Sequence, residues 1–82
     1  MASRLIGKKS VGIKQTLKAI KQDQCERLYI AEDAEFKLIQ PLIDLAKDKS
    51  LEIVYIDTMK ELGRLCGIDV GAAVACTLRE IC

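Results

Sequence analysis

Lysine is the residue whose spacing could do most in this sequence. Lys14, Lys18 and Lys21 recur at i, i+4 and i+7, which on a helix places their amines in one stripe. Ile13, Leu17 and Ile20 make a second stripe, rotated from the first by roughly 100°. One face can bury while its neighbour offers amines to an anion. Residues 1–22 hold Arg4, Lys8, Lys9, Lys14, Lys18 and Lys21 and no carboxylate, whereas the remainder holds seven cations and twelve carboxylates. The formal net charge of +1 therefore conceals a +6 segment and a −5 remainder. Like charges at i, i+4 slightly destabilise a helix, and a partner bearing phosphates offsets that cost. A lysine stripe alone is also what an ordinary solvated helix face looks like.

Other chemistries find little support. Histidine is absent, which removes the commonest general base and the commonest metal ligand. Cys25, Cys66, Cys76 and Cys82 are irregularly spaced and contain no C-x-x-C, so they read as buried or terminal free thiols. There is no phosphate loop of the P-loop type and no nucleophile elbow. Asp33, Asp57 and Asp69 suit capping and turn roles better than a carboxylate pair, because nothing in the spacing brings them together. The expectation is a non-enzyme with no cofactor and no metal.

Eighty-two residues suggest one domain over 1–82, and 50% hydrophobic residues supply one small core. With Tyr29, Phe36 and Tyr55 as the only aromatics, that core must be aliphatic. The amino terminus lacks an apolar run long enough for a signal peptide, and no stretch approaches a membrane span. A cytoplasmic protein with no membrane association is expected.

The elements that position the lysines can be read in order. Arg4 to Lys8 reads as a short helix, Val11 to Ile13 as a brief strand, and Lys14 to Gln22 as the lysine-bearing helix. Gly12 removes a side chain just before that helix, where a ligand backbone could come close. Arg27 to Ala31 is a strand by its aromatic and β-branched content. Glu35 to Lys49 carries a broad helical apolar stripe, with Pro41 suggesting a regular helix only from about Gln40. Leu51 to Ile56 is nearly all apolar, the pattern of a strand buried on both faces. Asp57 or Thr58 can cap a short helix, with Glu61 completing a capping box after Thr58, and Gly67 ends it. Ile68 to Gly71 is a loop whose Ile68 and Val70 fit either a core role or an exposed one. Ala72 to Ile81 permits a helix by its alanines and a strand by Val74, Cys76 and Leu78, and reads better as a fourth strand. Helices alternating with four strands imply an α/β fold, a three-layer α/β/α sandwich.

Two blocks in this chain resemble those of the L-seven-Ae / L-thirty-e ribosomal protein family. Gly12-Ile13-Lys14-Gln15-Thr16, followed by Lys18-Ala19, looks like its RNA-contacting signature. The run from Leu62-Gly63-Arg64 through Ile68-Asp69-Val70-Gly71-Ala72-Ala73 resembles its second block, and Ala31-Glu32-Asp33-Ala34 fits between them. The short chain is most similar to the small bacterial members. The resemblance implies a sandwich around a small mixed sheet of four strands. It also implies binding to kink-turns, which are RNA duplexes sharply bent at a bulge beside tandem sheared G·A pairs. The partner is then structured RNA, the setting a ribosomal or ribosome-associated ribonucleoprotein, and the expected state a monomer. By the same resemblance, Gly12, Lys14, Gln15, Thr16 and Lys18 enter the RNA at the G·A pairs, while Ile68, Asp69 and Val70 cradle the extruded nucleotide.

Residue chemistry suits these assignments. Lys8, Lys9 and Lys21 fit phosphate positioning, and Arg64 lies close enough in sequence to the loop to touch phosphate. Lys18 and Gln15 can reach guanine-edge acceptors. Many archaeal and eukaryotic members of the family carry Asn-Glu where this chain has Lys14-Gln15. A carboxylate only accepts hydrogen bonds and an amide does both, so the exchange implies a broader RNA preference or a more salt-dependent affinity. The alternative is a protein–protein module of the same fold that docks an acidic partner through its charge asymmetry.

Overall fold

A computed structural model describes residues 9–79. The elements are β1 (Lys9–Val11), α1 (Ile13–Lys21), β2 (Cys25–Ala31), α2 (Phe36–Asp48), β3 (Glu52–Ile56), α3 (Met59–Leu65) and β4 (Val74–Leu78). They form a four-stranded mixed sheet in the order β1-β4-β2-β3. β4 runs antiparallel to both of its neighbours, and β2 and β3 are parallel, joined by the crossover helix α2. α1 packs against α2 and against β1, β4 and β2, while α3 packs on β2, β3 and β4. Val74 to Thr77 are all buried, as an inner strand covered on both faces requires. The expected three-layer α/β/α architecture is present.

The core is aliphatic. Ile20, Leu28, Ile30, Ile39, Leu42, Leu62 and Val74 are all under 2% exposed. On α1 the inward residues are Thr16, Ala19 and Ile20, the i, i+3, i+4 spacing of a single face. α1 and α2 both end on residues with left-handed backbone, Asp23 and Ser50, each at φ 58°. Neither is a glycine. Lys49 Nζ lies 2.6 Å from Asp23 Oδ1 and ties the two helix ends together.

The structure corrects several sequence expectations. The first strand lies at Lys9–Val11, and Ile13 already belongs to α1. The expected Arg4–Lys8 helix lies outside the described residues. α2 is regular from Phe36, so Pro41 sits inside it and not in its first turn. Pro41 is exposed and has no N–H to donate to the Lys37 carbonyl. β3 is an edge strand with Glu52 and Tyr55 exposed, not a strand buried on both faces. Ile53, Val54 and Ile56 are partly buried against the core, and Glu52 pairs across the strands with Arg27, Nε to Oε1 at 3.0 Å. The capping box is half formed. Thr58 Oγ1 accepts from the Glu61 N–H at 3.0 Å, but the Glu61 carboxylate turns to Arg64.

Cys25, Cys66 and Cys76 are free and buried. Donation to the Cys76 sulfur and burial push the Cys25 thiol far up, and burial pushes Cys66 up. The hydrogen bond from Cys25 holds the Cys76 thiol below its ordinary value, but burial closes all three to reagent, so they should resist iodoacetamide in the native protein and react once it is unfolded, as mass mapping of the labelled peptides will check. Labelling of Cys25 or Cys76 under native conditions would contradict the packing described.

Candidate nucleic-acid interface

The sheet's directions bring four chain segments to one edge. β1, β2 and β3 all end there and β4 begins there, because β4 alone runs the other way. Backbone hydrogen bonds lace the segments together. Gly12 N–H donates to Val74 O at 3.0 Å, and Ala31 N–H to Ala73 O at 3.0 Å. Glu32 N–H reaches Ile56 O at 2.7 Å, and Ala72 N–H reaches Met59 O at 2.9 Å. The start of α1 and the loop between α3 and β4 are therefore neighbours.

At the α1 side, Gly12 is the N-cap, with φ 100° and ψ 159°, a backbone conformation essentially limited to glycine. A Cβ there would meet nothing within 4 Å. Glycine is thus required by the dihedral, and the space in front of it is open to a ligand. Among the described residues no side chain caps α1, and its first turn has no acid, so its leading N–H groups have no side-chain acceptor there. Lys14, Gln15, Lys18 and Lys21 are exposed, and Lys9 on β1 is partly so. Among the described residues, the ion pairs join Arg27 to Glu52, Lys49 to Asp23 and Arg64 to Glu61. None of them engages Lys9, Lys14, Lys18 or Lys21.

Thr16 departs from the expectation. It is fully buried and its hydroxyl donates to Ser10 O at 3.5 Å, so it braces α1 against β1 and has no surface to offer. Lys8 lies outside the described residues. Lys18 and Lys21 stand about 6 and 10 Å further along the α1 axis than Lys14, moving away from the edge.

At the loop side, Gly67 turns the chain at φ 78°. Ile68 N–H then bonds back to Gly63 O at 3.0 Å. Ile68 is 37% exposed and Val70 69%, with Asp69 exposed between them. This settles the alternative left by the sequence: both apolar side chains are held out, not packed in. Arg64 is exposed, but its Nη2 and Nε contact the Glu61 carboxylate at 2.6 and 3.2 Å. That pairing lies on the α3 surface, one turn before the loop. An exposed pair of this kind contributes little to stability.

Two positioning residues escaped the sequence reading. A Cβ on Gly63 would fall 2.0 Å from the Val70 carbonyl oxygen, so glycine at 63 is what lets the loop lie against α3. A glycine inside a short helical pattern is the signal that could have pointed to it. Asp33 Oδ1 accepts the Met59 N–H at 2.7 Å and fixes the start of α3 to the end of β2. Its capping role was legible, but not which helix it would serve.

With this geometry in place, three comparisons are informative. Residues 4–81 match the sequence model described as the ribosomal protein L7Ae/L30e/S12e/Gadd45 family. A Caldanaerobacter subterraneus protein named as an RNA-binding protein is 52% identical over 75 residues, covering 92% of each chain. The large ribosomal subunit protein eL8 of Halobacterium salinarum is 34% identical over 74 residues, covering 89% of this chain and 62% of its own. Among solved structures, the Giardia lamblia 15.5kD RNA binding protein superposes with a TM-score of 0.82 at 27% identity, over 88% of this chain and 61% of that one.

Gly63→Ala should destabilise the fold by about 1–3 kcal/mol, the usual range for forcing an extra carbon into a packed site. Urea unfolding will measure the loss, and amide shifts will localise it to residues 67–72. A variant as stable as the parent, with an unmoved loop, would contradict the close approach.

Proposed function

The chain belongs to the ribosomal protein L7Ae/L30e/S12e/Gadd45 family, and from that premise we propose that it is an RNA-binding protein that recognises and stabilises kink-turns. One observation carries the reading: open backbone at the start of α1, with amines that enter no ion pair among the described residues, meets two exposed apolar side chains at a single edge. Lys14 and Gln15, with Lys18 one turn behind, address the guanine edges of the G·A pairs. The unpaired N–H groups of α1 and the Lys9 amine take phosphate. Ile68 and Val70 pack on the extruded nucleotide, a surface that a bulge supplies and a continuous duplex does not. Asp69 sits between them, where it accepts from a base or a ribose hydroxyl. The protein acts as a non-catalytic, cytoplasmic, monomeric module over residues 1–82, in a ribosomal or ribosome-associated setting. An acidic protein patch would satisfy the lysines but give Ile68, Val70 and the opening at Gly12 no task.

A kink-turn duplex carrying a donor–acceptor dye pair should shift to its bent form when the protein is added at low salt. Lys18→Ala should weaken binding by about 1–3 kcal/mol, the usual worth of a base contact. Arg79→Ala, at the far end of the sheet, should leave it unchanged. Equal losses in the two variants would place the interface elsewhere, and no bending by folded protein would end the reading. With about four phosphate contacts, a fourfold rise in salt should lower affinity on the order of 10²-fold. An affinity indifferent to salt would remove the amines from the account.

A further inference from the structure

The surface between α1 and α2 carries charges of both signs in a definite order. On α1, Lys14, Lys18 and Lys21 surround a shallow depression floored by Leu17. Leu17 and Lys21 also line the adjoining groove, whose other wall is Pro41, Asp44, Leu45 and Asp48 of α2. Leu17 and Lys21 line both, so the amine stripe and the two carboxylates border one continuous surface. Both helices start at the edge where β1 and β2 end, and the Lys49–Asp23 contact ties their far ends, so they run side by side away from it. Asp44 and Asp48 follow i, i+4 spacing in the distal part of α2. Asp44 is held by the Gln40 amide at 2.9 Å, and among the described residues neither carboxylate is in an ion pair. Moving outward from the edge, an RNA would meet Lys14 and Lys18, then Lys21 facing two negative charges.

We infer that Asp44 and Asp48 form an electrostatic barrier that ends the RNA footprint near Lys18, draws Lys21 away from phosphate and selects RNA that bends away at the edge over duplex that runs on along α1. This rests on the kink-turn reading and adds how straight duplex is refused. A duplex carries one negative charge per about 1.7 Å of axis, so one crossing the distal half of α1 would bring several phosphates near the carboxylates. The screening length is about 8 Å at physiological salt, long enough for that repulsion to be felt. A kinked RNA keeps both arms at the edge and avoids it.

The test measures binding of the parent and of Asp44→Asn/Asp48→Asn to two RNAs of equal length and composition, one with a kink-turn bulge and one a continuous duplex. Asparagine keeps the shape, and circular dichroism will verify the fold. The double variant should bind the continuous duplex about fivefold more tightly at low salt, through the lost charge repulsion. Its affinity for the bulged RNA should change less than twofold, and the gain should vanish at high salt. Unchanged duplex affinity, or an equal gain for both RNAs, would overturn the barrier while leaving the kink-turn reading intact. If the parent binds neither RNA, the underlying reading fails instead.

Discussion

The whole edge proposed to bind RNA depends on one strand's direction. β4 enters the sheet between β1 and β2 and runs antiparallel to both. Its first residue therefore stands beside the last residues of the other strands. The bond from Gly12 N–H to Val74 O is the point where this becomes local chemistry, since it joins the residue before α1 to the residue after the loop. Val74, Ala75 and Cys76 are completely buried, so that register is anchored by the core as well as by the ladder. A slip by one residue would turn Val74 and Cys76 to the other face and separate the two halves of the edge.

Local preferences are compromised where the edge is formed. α1 begins on a glycine with a positive φ and no side-chain cap, without the acid that would complement its dipole. Its exposed face repeats like charges at i, i+4. Asp33 and Thr58, by contrast, give the start of α3 two side-chain acceptors, for the Met59 and Glu61 N–H groups. Sequences break local rules where function asks for it and satisfy them elsewhere, and this contrast between two helix starts at one edge follows that pattern. The stability that α1 forgoes at its start is supplied by Ile20, Ala19 and the Thr16 brace behind it.

Much of this was legible in the chain. The amphipathic period of α1, the Thr58 cap, the Gly67 stop and the alternation of helix and strand all act within a few residues, and sequence records such short-range physics directly. What was not legible is set by distant neighbours. Glu52 to Ile56 looks like an inner strand until strand order makes it an edge. Pro41 argues for a late helix start, yet tertiary packing of Ile39, Leu42 and Ile43 carries the helix through it. Thr16 reads as part of a binding signature, and only the position of Ser10 shows that it faces inward. Gly63 has no special dihedral, so its role appears only when the Val70 carbonyl is seen lying where its side chain would be.

The central claim is that two segments far apart in the chain form one RNA-binding surface. Titration of the ¹⁵N-labelled protein with a kink-turn duplex, followed through backbone amide shifts, tests it most directly. Gly12 to Gln15 and Ile68 to Val70 should move together along a single isotherm, with Ser50 and Arg79 at the opposite end unmoved. Perturbation of one segment without the other, or of the far end alone, would contradict the account.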